Sequence, residues 1–434
     1  LRGARQVGKT YILNKFAQEN YKTFLYINMV QTTGAEFLAC LEKAAAWEPG
    51  MPRKEQPLHD AMRLFDERFQ DTKDTIVVID EIQDSAKVYS LIRQFAREFS
   101  CDFIITGSYL GKTLSREYFQ PVGDLDIMIL DTLTFEEFLD AEGKRDLYNS
   151  VDLYGKSSHE AYDELKRYYD LYCQIGGYPA VVKTYLETRD MEICQAELDR
   201  VIHIFTEESQ GYFDNVLDIN LFGQLLPAVA QTMIREKKGS VDLITELSKI
   251  VYKQESSRLS KKSINQAIAW LYRSHILDFC GKANDCNPTD ISANSRFYFL
   301  DVGVCRSFLD MAGADLPTLR GIVNENFVYI DLLKRVRSRK ISGTAPMFGL
   351  YKEGEIDFLV NSRENYKTYG VEVKSGKTEG KTAQLLLKDE KVEAVYFLKG
   401  DTYGGIADRK VTVPIYLVGR MQFDFVKEHT PGSS

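Results

Sequence analysis

Near the start of the chain, Gly3-Ala4-Arg5-Gln6-Val7-Gly8-Lys9-Thr10 has the residue types and spacing of a loop that holds phosphates. Its glycines let the backbone curl until successive N–H groups point at one place. A helix beginning near Lys9 would add the positive end of its dipole. Lys9 would then reach the β- and γ-phosphates of a nucleotide, and the Thr10 hydroxyl would ligate Mg²⁺. Farther on, the apolar run 75–79 delivers Asp80-Glu81 at its tip. Asp80 suits a carboxylate that holds Mg²⁺ through water, and Glu81 one that orients and polarises an attacking water. The next apolar run, 103–105, ends in Thr106-Gly107-Ser108. A hydroxyl at that tip would sense the terminal phosphate, with Thr106 the first choice and Ser108 the second. Taken singly, each of these tips also reads as an ordinary strand-end turn; a complete phosphate loop in the same stretch favours one site.

A second set of charged residues lies near the end, where Gly354-Glu355-Ile356-Asp357 is followed by Val371-Glu372-Val373-Lys374. On a strand, Glu372 and Lys374 are two apart and face the same way. Together with Glu325 on a helix over 321–337, this resembles the nuclease pattern of an acidic residue, an Asp and a Glu-x-Lys. In that pattern Asp357 and Glu372 bind Mg²⁺, Lys374 positions or activates water and Glu325 completes the metal site. The alternative is an edge strand with an unexceptional Glu-Val-Lys.

The elements that must position these groups fall into three regimes. Up to about residue 140, apolar runs at 23–28, 75–80, 102–107 and 125–130 alternate with helical spacing at 35–46, 58–70 and 87–99. That alternation predicts a parallel sheet buried on both faces by helices. From about 150 to 318 the chain is mostly helical and rich in tyrosine. Strands at 356–360, 370–373 and 394–398 then close it as a second α/β unit.

Within the middle regime, residues 235–282 carry ten Lys or Arg against five Asp or Glu, in a chain of net charge −8. There, Ser260 is a plausible N-cap for an amphipathic helix to Arg273. Ile264, Ala267, Ile268 and Leu271 lie on one stripe, while Lys262, Gln266 and Arg273 project the other way. With a helix at 241–251 before it and a strand at 297–300 after it, this fits a winged helix whose second helix enters a DNA groove. A solubilising face on a bundle helix is the plainer reading.

Composition bounds the rest. With 44% hydrophobic and 27% charged residues, the 434-residue chain is of ordinary folded type and long enough for about three domains. No apolar run is long enough to span a membrane. Seven cysteines without zinc spacing predict reduced thiols and a cytoplasmic protein. The chain opens inside the phosphate loop with no signal-peptide pattern, so the strand that ordinarily feeds such a loop is expected to precede Leu1.

In order, the loop, Val78-Ile-Asp-Glu-Ile-Gln83, Ile105-Thr-Gly-Ser108, Leu133-Thr-Phe-Glu-Glu-Phe138 and Gly176-Gly-Tyr-Pro179 resemble the prokaryotic AAA-type ATPases that carry a C-terminal domain of unknown function. The resemblance implies ATP and Mg²⁺ as ligands and an α/β fold with an AAA-like parallel-sheet core over 1–142. It further implies a helical lid over 143–220, a winged helix over 221–318 and a restriction-endonuclease-like domain over 319–428. Many relatives have Gly-Arg where this chain has Gly123-Asp124. Arg116, Arg5 or a neighbouring subunit in an oligomer are the alternative sources of that arginine. The expected function is ATP hydrolysis coupled to DNA binding or processing. The alternative is a nucleotide-dependent switch or scaffold with an inactive nuclease-like domain.

Overall fold

The computed structural model describes residues 1–46, 55–107, 125–211, 221–235, 243–254, 260–374 and 380–425. The chain divides into two compact units, residues 1–131 with 269–275, and 132–268 with 276–434. Ser108, Arg116, Gly123 and Asp124 lie outside the described residues.

The first unit runs α1 (Lys9–Asn20), β1 (Thr23–Asn28), α2 (Thr32–Ala45), α3 (Pro57–Phe65), β2 (Thr75–Asp80), α4 (Ala86–Ser90), α5 (Ile92–Glu98) and β3 (Asp102–Ile105). Its strands pair in parallel in the order β1-β2-β3. All six residues of β2 are buried, because both faces of the strand are covered. Val77 and Ile79 pack into the cluster that holds Phe37, Met62 and Phe95, whereas Ile76 and Val78 meet Leu13 and Ala17 of α1. Each such side chain contributes roughly 1.5–3 kcal/mol of transfer free energy.

Three expected elements differ. The helix expected over 58–70 stops at Phe65, where the Asp66 carboxylate accepts the Arg68 N–H at 2.9 Å and competes with helix continuation. The helix expected over 87–99 divides at Leu91, whose N–H reaches Val88 and Tyr89 rather than continuing the four-residue ladder. The strand expected over 125–130 is a single parallel bridge between Ile129 and Arg2, flanked by exposed Leu125, Ile127 and Met128. Through that bridge, Arg2 N donates to Met128 O and Leu130 N to Arg2 O, both at 2.8 Å, and Leu1 N donates to Ile105 O at 2.6 Å. The residues feeding the phosphate loop therefore lie alongside β3.

The second unit begins with α6 (Phe135–Ala141), α7 (Arg145–Ser150), α8 (His159–Ile175), α9 (Pro179–Thr188), α10 (Met191–Gly211), α11 (Leu221–Arg235), α12 (Leu243–Gln254) and α13 (Lys261–Arg273), the last passing between units. It continues with β4 (Leu277–Ala283), β5 (Ile291–Phe299), α14 (Val302–Met311), α15 (Leu316–Arg337), β6 (Met347–Tyr351), β7 (Gly354–Asn361) and β8 (Thr368–Lys374). The last elements are α16 (Lys381–Lys388), β9 (Val395–Lys399), β10 (Gly405–Ala407) and β11 (Lys410–Pro414). Eight strands form one mixed sheet in the order β10-β11-β9-β8-β7-β6-β4-β5. The β4–β5 hairpin joins it because β4 pairs in parallel with β6. The strand expected at 297–300 thus belongs to the C-terminal sheet rather than to a freestanding wing.

Two motifs behind the family resemblance are structural in this unit. Thr134 and Glu137 make a capping box for α6, and Phe135 and Phe138 are buried. Leu133 N donates to Gly177 O at 2.7 Å, and a Cβ on Gly177 would lie 2.0 Å from the Leu133 carbonyl oxygen. Buried Asp301 accepts the Gly177 N–H at 2.8 Å while its other oxygen caps α14. These contacts fix the start of α6 to the turn between α8 and α9. Among the described residues no helix is long and apolar enough to cross a membrane, and all seven cysteines are free thiols.

Candidate functional site

In the first unit the phosphate loop is wound by three left-handed or glycine-only conformations: Gly3 (φ 152°), Gln6 (φ 64°) and Gly8 (φ 91°). At Gly3 a Cβ would sit 2.1 Å from the Leu130 carbonyl oxygen, so the loop and the 128–130 segment approach more closely than any side chain permits. Gly8 caps α1 without a side-chain acceptor, which leaves the first-turn N–H groups for a ligand. Lys9 is 6% exposed, and its Nζ donates to the carbonyls of Gly3 at 3.0 Å and Ala4 at 2.7 Å. Burial pulls its ammonium down to about 8 against the opposing pull of Glu81 and Asp80, while Arg5 adds to the fall.

Beside the lysine, Thr10 Oγ1 donates to Asp80 Oδ2 at 2.9 Å, and Tyr26 OH donates to the same oxygen at 2.7 Å. A hydroxyl and a carboxylate oxygen at this spacing fit two ligands of one hard cation. Burial, together with Asp80, pushes the Tyr26 phenol up to about 12, so it stays a donor. Glu81 has a left-handed backbone (φ 52°) and accepts from Arg5 Nη1 at 3.2 Å and Gln83 Nε2 at 2.7 Å. Thr106 is 1% exposed, and its Oγ1 has no hydrogen-bond partner among the described residues. Its backbone is fully engaged, with N donating to Ile79 O at 2.9 Å and O accepting from Ile82 N at 3.1 Å. An orphaned hydroxyl is a feature that a bound phosphate or water would satisfy. The arrangement therefore fits a magnesium nucleotide.

Glu325, Asp357, Glu372 and Lys374 come together in the second unit. The Asp357 carboxylate on β7 accepts the Val373 N–H at 2.7 Å, and Lys374 Nζ lies 2.7 Å from Glu372 Oε1. Glu372 is 3% exposed, with Oε2 lacking a partner among the described residues. Burial raises Asp357 well above the usual carboxylate range, and Glu372 and Glu325 raise it further. Burial raises Glu372 too, against Lys374. Lys374 stays above its ordinary value because Asp357 and Glu372 outweigh its desolvation. Glu325, expected as a metal ligand, is instead engaged by β5: it accepts from Tyr298 OH and lies 3.6 Å from Arg296 Nη1. Among the described residues no three His, Cys, Asp or Glu side chains converge closely enough to hold a metal ion.

Sequence reasoning gave no role to Tyr26, Gln83, Arg296, Tyr298 or Glu355. One signal was available: an arginine inside the aromatic run Arg296-Phe-Tyr-Phe is a charge in a strand that must be buried. The expected DNA-facing residues Lys262, Gln266 and Arg273 are exposed on α13, while Ile264, Ala267, Ile268 and Leu271 are buried.

Residues 1–139 match the family model of an AAA domain, and residues 166–315 match a domain of unknown function, DUF8612. No curated protein matches the chain. Among solved structures, the Aeropyrum pernix ORC2 protein in ADPNP–ADP complexes has 12% identity and a TM-score of 0.31, covering 72% of this chain and 88% of its own. The Aeropyrum pernix ORC1 protein in complex with DNA has 12% identity, a TM-score of 0.26 and coverages of 72% and 86%. Cdc6p from Pyrobaculum aerophilum has 11% identity, a TM-score of 0.24 and coverages of 75% and 88%. Likenesses this slight carry no argument about the present chain. The family match and the loop geometry do: the N-terminal α/β part of the chain is an AAA-type P-loop domain.

Proposed function

We propose that this chain binds ATP with Mg²⁺ in the first unit and hydrolyses it, and that it couples nucleotide state to DNA through the basic helix α13 and a nuclease-like domain whose sheet takes in the β4–β5 hairpin as well as residues 319–428. The observation that carries the nucleotide half is the convergence of Lys9, Thr10, Asp80 and Glu81 around one curled loop. When bound, Mg²⁺ would neutralise phosphate charge at Thr10 and Asp80. Lys9 exchanges its two loop carbonyls for phosphate oxygens, and the α1 N–H groups supply further donors. Glu81 orients and polarises the water, and Thr106 holds it in line.

For the second half, the order α15-β6-β7-β8-α16-β9 puts Glu325, Asp357, Glu372 and Lys374 on one helix and two neighbouring strands. Asp357 and Glu372 are the residues that would hold a divalent ion, and the partnerless Glu372 oxygen fits that role. Exposed Lys262, Gln266 and Arg273 supply a basic face for the DNA backbone. A second reading, a nucleotide-dependent switch with little turnover, is favoured by two contacts: Arg5 and Gln83 both hold Glu81.

Steady-state phosphate release by wild type and Glu81→Gln, together with Mg²⁺-dependent plasmid cleavage by wild type and Asp357→Ala, tests the proposal. Release lost by about 10²-fold in Glu81→Gln supports hydrolysis. Equal, negligible release in both proteins leaves the switch. Cleavage that survives Asp357→Ala removes the nuclease assignment.

A further inference from the structure

We infer that the end of α15 and the turn between β7 and β8 form a binding site for single-stranded nucleic acid, in which Arg339, Lys340 and Arg363 hold phosphates and a base stacks on Tyr366. This goes beyond the reading above, because neither α13 nor the carboxylates belong to the site. Thr368, where β8 begins, is four residues from Glu372, or about 14 Å along the strand.

Two positions whose backbone favours glycine carry large side chains instead. At the end of α15, Arg339 N donates to Val336 O at 3.0 Å and Lys340 N to Arg335 O at 2.9 Å. Arg339 fills the left-handed position of that turn (φ 59°), where glycine is the usual residue. The β7–β8 turn is closed by Ser362 N donating to Lys367 O at 2.9 Å, and its left-handed residue is Tyr366, also at φ 59°. A Cβ disfavours this conformation, so the local backbone accounts for neither side chain. Packing does not account for them either, since Arg339 is exposed and Tyr366 is 85% exposed. Outliers of this kind point to a task for the side chain itself.

The two turns are neighbours. Arg363 N donates to Lys340 O at 3.0 Å, Ser342 N donates to Asn361 O at 2.9 Å, and Ile341 bridges Ser362. Asn365 braces the loop that presents Tyr366: its Nδ2 donates to Tyr369 OH at 2.7 Å and Phe423 O at 2.9 Å, and its Oδ1 accepts from Lys367 N at 3.0 Å. Arg339, Lys340 and Arg363 are exposed, and their side chains have no partner among the described residues. Lys367 differs, lying 3.6 Å from Glu393, and Glu364 is the acid that shares the β7–β8 turn.

Unpaired cations beside an exposed ring on a braced loop suit a phosphate backbone with an unstacked base. A duplex keeps its bases stacked and offers the ring nothing. A membrane surface would call for an apolar anchor, and Val336 and Ile341, the aliphatic residues nearest Arg339, are buried.

The test is fluorescence anisotropy of the full chain with labelled oligothymidylate and oligouridylate of about 12 nucleotides, in EDTA and without ATP. Lys262→Ala and Arg273→Ala are present throughout, so that α13 does not contribute. This parent is expected to bind at least one of the two oligonucleotides, and the comparison tells DNA from RNA. Tyr366→Asn, which suits the left-handed turn but removes the ring, is expected to weaken binding by at least about fivefold, whereas Tyr366→Phe stays within about twofold. Arg339→Gly and Arg363→Gln are each expected to lower the slope of log K against log salt by about 0.7. Glycine suits the backbone at 339, so Arg339→Gly is expected to melt no earlier than the parent.

No binding by the parent, Tyr366→Asn as tight as Tyr366→Phe, unchanged salt slopes, or a duplex bound as tightly as the single strand would each overturn the proposal. So would variants that lose phosphatidylglycerol vesicles but keep the oligonucleotide, which would assign the patch to a membrane surface. If Arg339→Gly melts early, Arg363→Gln and Tyr366→Asn decide by the same readings. Loss of the hydrolysis or cleavage reading leaves these titrations unaffected, because neither Mg²⁺ nor nucleotide is present.

Discussion

Arg5 of the phosphate loop and Glu81 at the tip of β2 are bonded to each other, Nη1 to Oε1 at 3.2 Å. The proposed water-orienting carboxylate is thus held by the loop that would receive the phosphates. The Arg5 side chain is 35% exposed, so solvent screens the pair and limits it to about 0.2–1 kcal/mol. That is at most about a fivefold bias. Arg5→Ala is expected to raise kcat for ATP by about two- to fivefold, with Arg5→Lys close to wild type, read by steady-state phosphate release. A fall in kcat would show that Arg5 assists the chemistry instead of restraining it.

The depressed Lys9 makes nucleotide affinity depend on pH in a known direction. In the free protein its ammonium titrates near pH 8 because it is buried. Bound phosphates favour the charged form, so binding above pH 8 takes up a proton. Affinity is expected to fall about tenfold between pH 7 and pH 9, and Lys9→Met to be flat over that range, by calorimetry in two buffers of different ionisation enthalpy. The folding linkage has the opposite sense. The unfolded lysine, near 10.5, holds its proton where the folded one has lost it. This term therefore destabilises the nucleotide-free fold below pH 8 and is relieved as pH rises from 8 to 10.5.

Thr106 combines a stability cost with a proposed role. A buried hydroxyl without a partner costs about 1–3 kcal/mol. Thr106→Val preserves its shape and backbone bonds, and is expected to raise the melting temperature of the nucleotide-free protein by about 2–4 °C for each kcal/mol relieved. Phosphate release in the same variant is expected to fall by about 10-fold or more. A variant neither more stable nor slower would leave Thr106 a plain strand end.

Much of the first unit was legible in the sequence because its signals are local. The β2 run is apolar on both faces and ends in two carboxylates, so both its extent and its tip are written in one stretch of chain. The Tyr26 contact to Asp80 was not legible, since it depends on the parallel register that sets Asn28 beside Asp80. The same limit explains the hairpin. The sequence marks a strand at 297–300, but β4 lies in a stretch that reads as mostly helical, and its attachment to β6 is a pairing across more than 60 residues that no local pattern encodes. Glu325 was found by type and spacing, whereas its capture by Arg296 and Tyr298 follows from that distant pairing.

The exposed face of α13 predicts a salt-dependent effect. If Lys262 and Arg273 each neutralise a phosphate, Lys262→Ala and Arg273→Ala are each expected to reduce the slope of log K against log salt by about 1. The double variant should reduce it by about 2, in fluorescence-anisotropy titrations of a duplex from 50 to 200 mM salt. Unchanged slopes would assign this face to protein contacts or to solvent.

The central claim is that the curled loop around Lys9 receives a magnesium triphosphate. Its most direct test is calorimetric titration of the full chain with a non-hydrolysable ATP analogue, with and without Mg²⁺, beside Lys9→Ala of verified fold. Saturable heat at one site per chain is expected in wild type, strengthened by Mg²⁺ and abolished in Lys9→Ala. Absent heat in folded wild type, or equal binding by the variant, would contradict it.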